Sequence, residues 1–542
     1  MMLHSHAKIN LALDILGRRP DGYHELKLIY QQIALHDEIE VNELPQDEIR
    51  LRCSLKELED EKNLAYRAAA LFKDRFSIKK GVAISIVKNI PPGSGLGGGS
   101  SDAASVLRGL AFLWKPELAI SDLQPLAAEL GSDVPFFLHG GICLGTGRGE
   151  RITEMRPLEP YHVIIVKPDY SISTQQAYAK VSSFNQGDHA MRFAKDQDLA
   201  LMHNDLEAVA FSLHPELAGI KKALGEHALL TGSGSAVFGL FKGEDEAKRV
   251  YAQMKEKYAE VFLTRTINPR ITRAKEMGFC FGVKRAIEMI GERDKAEQVA
   301  VLGNLVHNPQ VVESLRQEGV LFVTDAASVR VKRVYITAHG VPDKVIEGLE
   351  KRGLTVVDTT CPLVKKVHAA SKTAEAWGRR VIVFGDPDHV EVKGIVGNLR
   401  NATVVRSPEE ITPELAAGPV TLVSQTTREV AKFEAAARRV KELSPQTEVI
   451  DTICFSTKDR QASAISLAAD SEVVIVVGGR MSSNTKRLQE ICAQRTEAHQ
   501  VESAQELRSE WLFGRERIGL TAGASTPEEV IRDVELAIRL LW

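Results

Sequence analysis

Apolar and polar positions alternate along several short segments of the first 265 residues. Short apolar or alternating segments of this kind predict strands at Val82–Val87, Val163–Val166 and Val237–Phe241. Stretches compatible with helices, at Asn63–Phe76 and Asp102–Leu113, are mixed with these strands. Strands mixed with helices and joined by glycine-rich loops predict an α+β half whose loops carry the function.

The pattern changes after about residue 270, where short and continuously apolar segments are each followed by a helix. Val334–Thr337 and Val473–Val477 are examples. Buried strands that alternate with helices are typical of parallel sheets, so this half is predicted to be α/β, with three strand–helix units. The Asn268–Pro269 dipeptide breaks regular structure between the two halves. We therefore expect one domain over residues 1–266 and another over residues 270–542.

The composition is that of an ordinary globular protein, with 44% hydrophobic residues, 26% charged residues and a net charge of −3. Because no block of lysine and arginine stands out, a nucleic-acid partner is not expected. The N-terminus lacks the basic and apolar regions of a signal peptide, and the apolar runs are only as long as strands. These features predict a cytoplasmic protein without a membrane partner.

A glycine-rich loop precedes the predicted helix at Asp102–Leu113. Its sequence is Pro91-Pro92-Gly93-Ser94-Gly95-Leu96-Gly97-Gly98-Gly99-Ser100-Ser101. Glycines allow successive backbone N–H groups to converge on phosphate oxygens, and the N-terminus of the following helix adds the positive end of its dipole. The Gly-Lys-Ser/Thr ending of a Walker loop is missing. A flexible turn is the alternative, but the prolines, the serines and the helix favour phosphate binding.

The loop resembles the nucleotide loop of the galactokinase–homoserine kinase–mevalonate kinase–phosphomevalonate kinase superfamily. Further segments, in order, resemble one family within it, the 4-diphosphocytidyl-methylerythritol kinases. These segments are Ala7–Leu11, Gly17–Leu26, Gly131–Phe137 and Thr231–Ala236. The resemblance covers essentially residues 1–265. It implies two subdomains, an alcohol substrate that carries cytidine, and ATP with Mg²⁺, although no motif names a protein ligand for the magnesium.

The same resemblance implies roles for single residues. Asp133 would accept the proton of the attacking hydroxyl, while Lys8 would polarise that hydroxyl and keep Asp133 ionised. Outside these motifs, Lys8 would be taken for a surface lysine and Asp133 for a helix cap. Tyr178 would stack on the cytosine ring of the substrate, although a core aromatic on a helix is an equal alternative. Other expected substrate contacts are Asn10, Tyr23 and His24. The expected ATP site consists of Asn63, Pro92, Gly93, Ser94, Gly95, Leu96, Gly97, Gly98, Gly99, Ser100 and Ser101.

Three of the six cysteines each follow a short apolar or turn segment, where a strand would end: Cys280, Cys361 and Cys454. Loops at strand ends can converge at the carboxyl edge of packed sheets, and three thiolates suit an iron–sulfur cluster with one iron left open. Zinc is less attractive because structural zinc usually has four ligands, commonly in pairs. Three buried structural cysteines remain the alternative. The other cysteines, Cys53, Cys143 and Cys492, are expected to fill apolar space.

The segments around these three cysteines resemble the hydroxymethylbutenyl diphosphate reductases, from about Arg270 to Trp542. The resemblance includes Val306–Asn308, Ala338–Val341, Asp388–Gly394, Ser424–Thr427, Ser482–Asn484 and Thr521–Ser525. Val390 stands where the family usually has proline, so the rigidity of that loop is in question.

This second resemblance implies reductive dehydroxylation at a [4Fe–4S] cluster, central to three lobes and held by the three cysteines. The allylic hydroxyl of the substrate would bind the open iron, and Glu391, relayed through Thr426, would supply the proton with which hydroxide departs as water. The diphosphate would be held by His307, His339, His389, Ser482, Ser483, Asn484 and Ser525. The segment Ser482–Asn484 could also simply cap a helix. A ferredoxin or flavodoxin is the expected electron donor, and a homodimer is left open.

Together, the two resemblances predict a bifunctional enzyme of isoprenoid precursor synthesis by the methylerythritol phosphate pathway. Its final products would be isopentenyl and dimethylallyl diphosphates. Two alternatives remain. The kinase half could phosphorylate another small alcohol, such as mevalonate or homoserine, although Asp21–His24 argues against it. The cysteine half could be a redox-sensing or structural module without turnover.

Overall fold

The computed structural model describes residues 1–185, 188–306 and 308–542. The chain folds into two compact units. The first comprises Met1–Arg270, Arg508–Glu516 and Leu536–Trp542, and the second comprises Ile271–Leu507 and Arg517–Glu535. Two short segments near the C-terminus therefore pack with the first unit.

The first unit mixes strands and helices along its length. Its strands are β1 (Met2–Arg18), β2 (His24–Leu44), β3 (Ile49–Cys53), β4 (Gly81–Val87), β5 (Ile142–Gly147), β6 (Arg151–Glu154), β7 (His162–Lys167), β8 (His203–Asn204), β9 (Ala228–Leu230), β10 (Val237–Phe241) and β11 (Glu260–Arg265). Its helices are α1 (Leu64–Arg75), α2 (Gly98–Trp114), α3 (Ile120–Leu130), α4 (Val134–His139), α5 (Thr174–Ala179), α6 (Asp188–Asp196), α7 (Glu207–Leu213), α8 (Glu216–Leu224) and α9 (Glu244–Lys255).

These strands form two sheets within the described residues. The larger sheet is mixed and has the order β3-β4-β2-β1-β8, with β5 paired to β2 and β6 paired to β5. The smaller sheet, β11-β7-β10-β9, is antiparallel. The two sheets contribute to one hydrophobic core of this unit, in which Ile9, Leu11, Ile29 and Phe238 are fully buried. The α+β prediction for this half is confirmed.

The helix predicted at Asp102–Leu113 begins four residues earlier, at Gly98. Gly97 precedes it in the left-handed conformation, with φ +78°. The final residues of the glycine loop thus form the first turn of α2. Any phosphate bound by the loop would face the positive end of the helix dipole.

The second unit alternates strands and helices. Its strands are β12 (Arg270–Arg273), β13 (Val299–Leu302), β14 (Leu321–Val323), β15 (Arg333–Ile336), β16 (Thr355–Asp358), β17 (Arg380–Phe384), β18 (Ala402–Val405), β19 (Val420–Ser424), β20 (Glu448–Val449), β21 (Val473–Val477), β22 (Glu497–Val501) and β23 (Arg517–Ala522). Its helices are α10 (Phe281–Gly291), α11 (Pro309–Gln317), α12 (Asp343–Lys351), α13 (Pro362–Ala376), α14 (Val390–Val396), α15 (Pro413–Ala416), α16 (Val430–Leu443), α17 (Phe455–Ala469), α18 (Ser483–Ala493) and α19 (Glu528–Leu541), of which the residues from Leu536 onward belong to the first unit.

Within the described part of this unit, the strands form three sheets, β14-β13-β15-β16, β18-β17-β19-β20 and β12-β23-β21-β22. Neighbouring strands are parallel in the first two sheets, and β21 is parallel to both β22 and β23 in the third. All five residues of β21 are buried, as expected for a parallel strand that is covered on both faces. The prediction of three strand–helix lobes is confirmed. In the described residues, no helix combines the length and the apolar character that a membrane crossing requires.

Candidate active sites

A cavity of about 830 Å³ lies in the first unit. It is bordered by β1, β2, the glycine loop and the loop Thr231–Ala236. The predicted residues that line it are Lys8, Asn10, Tyr23, His24, Gly95, Gly97, Asp133 and Tyr178. Residues far apart in the sequence thus surround one space that is large enough for a nucleotide-sized ligand.

Lys8 and Asp133 form a charged pair at this cavity. The Lys8 ammonium lies 3.6 Å from the Asp133 carboxylate and donates a hydrogen bond of 2.5 Å to the Asn10 side-chain oxygen. The Tyr30 hydroxyl donates to the other Asp133 oxygen at 2.8 Å. Asp133 precedes α4, but its side chain does not cap that helix. Its carboxylate is therefore held by Lys8 and Tyr30 and lines the cavity, where it can accept a proton.

Burial governs the ionisation of Lys8. Desolvation lowers the pKa of its ammonium, and the charge and hydrogen bond of Asp133 partly offset this effect. Burial, followed by the negative charge of Asp133, raises the pKa of the Tyr30 hydroxyl well above its ordinary value. Tyr30 is therefore a neutral donor to Asp133 over the physiological range.

The glycine loop packs closely against Lys8 and the loop Thr231–Ala236. The Lys8 backbone N–H donates to the Leu96 carbonyl at 2.9 Å. A methyl group on Gly97 would lie 2.7 Å from the Phe137 ring and 3.2 Å from the Lys8 side chain. A methyl group on Gly95 would lie 2.3 Å from the Thr231 carbonyl oxygen. Both glycines also have positive φ, so a side chain at either position would be strained as well as crowded.

The other residues of the expected ATP site do not line this cavity. The Asn63 side chain caps α1 by accepting from Ala65 N–H at 2.9 Å, and it donates to the Leu58 carbonyl. The Ser94 and Ser101 hydroxyls donate to the carbonyls of Pro91 and His6. Their role in ATP binding remains a prediction, as it does for Pro92, Gly93, Leu96, Gly98, Gly99 and Ser100.

Aromatic rings line the part of the cavity that was predicted to bind the cytidine group. The half-buried Tyr178 lies with its ring centroid 5.1 Å from that of His24. The Arg148 guanidinium lies 4.7 Å from the centroid of the exposed Tyr23 ring. Sequence reasoning missed Arg148 and Tyr30. Arg148 lies in the glycine-rich stretch Gly140–Gly149, which could have drawn attention to it, whereas nothing in the sequence distinguished Tyr30.

A smaller cavity, of about 100 Å³, lies in the second unit. With the exception of His307, which lies outside the described residues, it is lined by every residue predicted for the reductase site: Cys280, Cys361, Cys454, His339, His389, Glu391, Thr426, Ser482, Ser483, Asn484 and Ser525. Apolar side chains such as Val283 and Leu363 cover much of the remaining wall.

The three cysteines occupy equivalent places, each immediately before the first residue of a helix, α10, α13 or α17. All three of their side chains line the same cavity. Burial raises the pKa of the Cys361 and Cys454 thiols. A metal centre would supply the positive charge that deprotonates them, so these residues fit a three-cysteine cluster.

Glu391 is held by the two hydrogen bonds that Thr426 donates. The Thr426 backbone N–H donates to one carboxylate oxygen at 2.7 Å, and its hydroxyl donates to the other at 2.9 Å. Glu391 is 1% exposed. Burial raises the pKa of its carboxyl group to about 7, and the bonds from Thr426 oppose that shift only in part. A carboxyl group in this state can deliver a proton near neutral pH.

Polar side chains continue from Glu391 along the cavity wall. The His389 ring accepts from Glu391 N–H at 3.2 Å, and its other nitrogen lies 3.5 Å from the Ser483 hydroxyl. The Ser482 side chain caps α18, in agreement with the alternative that Ser482–Asn484 serves as a helix cap. The Asn484 amide nitrogen is buried and makes no hydrogen bond to a described atom. It is therefore available to an oxygen-rich ligand in the cavity.

Val390 is the first residue of α14 and is 43% exposed. Proline is well tolerated at the first position of a helix, because the N–H there has no partner within the helix. In this chain α14 begins with valine in place of the usual proline. The start of the helix, and with it the position of Glu391, therefore does not require a proline ring.

Family models match both halves. Models described as "GHMP kinases N terminal domain" and "GHMP kinases C terminal" match residues 63–141 and 189–260, and one described as "LytB protein" matches residues 271–539. The 4-diphosphocytidyl-2-C-methyl-D-erythritol kinase of Clostridium tetani is 41% identical over 282 residues, which are 49% of this chain and 100% of that protein. The kinase of the same name from Bacillus velezensis is 43% identical over 275 residues, 48% of this chain and 95% of that protein.

A solved structure titled "(E)-4-Hydroxy-3-methyl-but-2-enyl Diphosphate Reductase, the Terminal Enzyme of the Non-Mevalonate Pathway" is 37% identical, covers 50% of this chain and 98% of its own, and has a TM-score of 0.40. The chain belongs to the 4-diphosphocytidyl-2-C-methyl-D-erythritol kinase family in its first half and to the LytB family in its second. A solved 4-(cytidine 5'-diphospho)-2C-methyl-D-erythritol kinase is 34% identical to the kinase half, covers 49% of this chain and 99% of its own, and has a TM-score of 0.44.

Proposed function

We propose that the chain catalyses two reactions of isoprenoid precursor synthesis. Residues 1–266 would phosphorylate 4-diphosphocytidyl-2-C-methyl-D-erythritol with ATP. Residues 270–542 would reduce 4-hydroxy-3-methylbut-2-enyl diphosphate to isopentenyl and dimethylallyl diphosphates. The observation that carries the kinase is the ion pair between the buried Lys8 and the partly exposed Asp133, beside the glycine loop. The observation that carries the reductase is the single cavity that three cysteines, each immediately before a helix, share with Glu391.

In the kinase, the substrate hydroxyl attacks the terminal phosphorus of ATP, the bond from phosphorus to the bridging oxygen breaks, and ADP leaves. Asp133 accepts the hydroxyl proton, and Lys8 stabilises the negative charge that develops on the attacking oxygen. Tyr30 orients Asp133. Mg²⁺ would neutralise the phosphate charges, as phosphoryl transfer generally requires. The rings of Tyr178 and His24 would contact the cytosine.

In the reductase, Cys280, Cys361 and Cys454 would hold a [4Fe–4S] cluster, which when bound supplies the two electrons. The carbon–oxygen bond of the allylic alcohol breaks. One proton leaves with the oxygen as water, and two electrons and a second proton place a hydrogen on the carbon skeleton, whose double bond is retained or shifted. Glu391, through the Thr426 hydroxyl, delivers the proton with which the hydroxyl group leaves as water. His339, His389, Ser482, Ser483, Asn484 and Ser525 offer donors to the diphosphate. A small ferredoxin- or flavodoxin-type protein would deliver the electrons.

The test is turnover of both substrates by one preparation of the full-length chain with its iron and sulfide quantified. Under anaerobic conditions, with a reduced viologen, isoprenoid diphosphates should appear as electrons are consumed. With ATP and Mg²⁺, 4-diphosphocytidyl-2-C-methyl-D-erythritol should be phosphorylated in preference to mevalonate and homoserine. Failure of reduction in protein with its full iron content would leave a non-catalytic redox module as the better account of the second half.

A further inference from the structure

Two histidines and an aspartate meet in the first unit, away from the catalytic pair Lys8–Asp133. Asp14 lies on β1, His189 on α6 and His203 on β8. One potential ligand atom from each lies within 4.8 Å of the others. Among the residues that the structure describes, no other set of three histidine, cysteine or acidic side chains brings its ligand atoms this close together. It joins three segments that are far apart in the sequence.

The Asp14 carboxylate is fully buried and already oriented. One of its oxygens accepts from the Asn185 amide and from a His189 ring nitrogen, each at 3.0 Å, and the other accepts from Ala190 N–H at 2.8 Å. The His189 and His203 rings stack with their centroids 3.9 Å apart. Their side chains are 41% and 35% exposed. An ion can thus reach a fixed carboxylate that is flanked by two solvent-accessible imidazoles.

A second carboxylate supports His203. Its Nε2 lies 2.8 Å from Asp205, whose other oxygen accepts from the Ile15 N–H at 2.7 Å and from the Asn185 amide at 2.6 Å. Histidines that bind metals commonly donate their second ring nitrogen to such a carboxylate, which fixes the tautomer and orients the ring. His203 and Asp205 show this arrangement.

We propose that Asp14, His189 and His203 form a binding site for a late first-row divalent cation such as Zn²⁺, with water completing the coordination. Two imidazoles and one carboxylate favour zinc, cobalt or nickel over magnesium or calcium, which prefer sites built from oxygen. The ion would fasten α6 and β8 to β1. Because β1 also carries Lys8 and Asn10, and Leu13 lines the kinase cavity, the ion would stabilise the strand that positions these residues.

Zinc affinity of the full-length chain tests the site. The iron–sulfur centre is first reconstituted anaerobically, so that the three cysteines are occupied, and Zn²⁺ is then titrated against a chromophoric chelator. We expect one equivalent to bind the parent chain and a loss of affinity of about 100-fold or more in His189→Ala and His203→Ala. Asp205→Asn, which leaves the ligands in place, should weaken binding by about 10–100-fold.

His139→Ala is the matched control. His139 belongs to the same unit and pairs with a carboxylate, that of Glu154, at 2.9 Å, but it is not part of a group of three ligands among the described residues. Its replacement should leave zinc affinity unchanged. Zn²⁺ should also raise the melting temperature of the parent chain and of His139→Ala, but not that of His189→Ala.

Two results would overturn the site. One is equal affinity and stoichiometry in the parent chain, His189→Ala and His203→Ala, which would mean adventitious binding elsewhere. The other is the absence of a zinc equivalent in a parent chain whose kinase activity shows that the first unit is folded. Substitution with Co²⁺ separates this site from the cysteines, because histidine and carboxylate ligands would give weak visible bands without the intense near-ultraviolet bands of thiolate ligands.

Discussion

Thr426 holds both oxygens of the Glu391 carboxylate, one through its backbone N–H at 2.7 Å and the other through its hydroxyl at 2.9 Å. The backbone bond fixes the position of the carboxylate, and the hydroxyl bond joins the two groups of the proposed proton relay. Glu391 is buried, and it lines the cysteine-lined cavity together with Thr426.

Glu391→Gln should lower the reductase kcat by about 100-fold or more, because an amide cannot donate the proton that a general acid supplies. The substitution keeps the size of the side chain, and the amide oxygen can still accept from Thr426. The measurement is anaerobic turnover at matched iron content, with the kinase activity of the same sample as the control. A kcat within twofold of the parent value would exclude Glu391 as the acid.

The reductase kcat should fall as the pH rises through about 7. Burial raises the pKa of Glu391 to about 7, so the proton that it donates is present below that pH and is lost above it. The same raised pKa stabilises the folded chain at low pH. This contribution is fully present below about 4.3, the pKa of a glutamate in the unfolded chain, and it is lost as the pH rises to 7. Profiles of kcat against pH for the parent chain and Glu391→Gln test this, since the variant should lack the decline near 7.

Tyr30→Phe should lower the kinase kcat by about tenfold, since it removes a hydrogen bond to the charged Asp133 carboxylate. The phenyl ring would still stack on Phe136, at a centroid distance of 4.6 Å, so the melting temperature should change little. Steady-state kinetics separate this effect from substrate binding, because KM should remain near its parent value. A parallel loss of melting temperature and activity would instead assign Tyr30 a packing role only.

Local patterns were sufficient for much of the fold and for the sites that lie in motifs. The five consecutive β-branched residues Val473–Val477 predict a buried strand, and they form one. Each of the three cysteines lies where an extended segment is followed by a helix. Tyr30 was missed because its partner Asp133 is 103 positions away and only the folded sheet brings them together. The packing of Arg508–Glu516 with the first unit depends in the same way on distant contacts that no local pattern encodes.

Gly97→Ala should impair the kinase through Lys8. The new methyl group would lie 2.7 Å from Phe137 and 3.2 Å from Lys8, in a left-handed conformation that costs an L-residue about 1–2 kcal/mol. We expect a lower melting temperature, a higher KM for ATP and a lower kcat. Gly219→Ala is the control, because Gly219 lies on α8 and its added methyl group would contact no described atom within 4 Å. Equal kinetics in the two variants would contradict the expected crowding of Lys8.

Gly282→Ala should weaken the iron–sulfur centre. Gly282 is the second residue of α10, and a methyl group there would lie 2.6 Å from the Cys361 sulfur and 3.1 Å from its Cβ. Since that sulfur is a proposed ligand, the cysteine must turn away or the helix must shift. Iron, sulfide and visible absorbance per chain should all fall after anaerobic reconstitution, while kinase activity is retained.

Gly291→Ala is the control for this effect, because Gly291 ends the same helix and its added methyl group would have no described atom within 4 Å. It should bind iron as the parent chain does and should melt at the same or a slightly higher temperature, since alanine is the better helix former. A full complement of iron in Gly282→Ala would mean that Cys361 does not hold the cluster from the position it occupies beside Gly282.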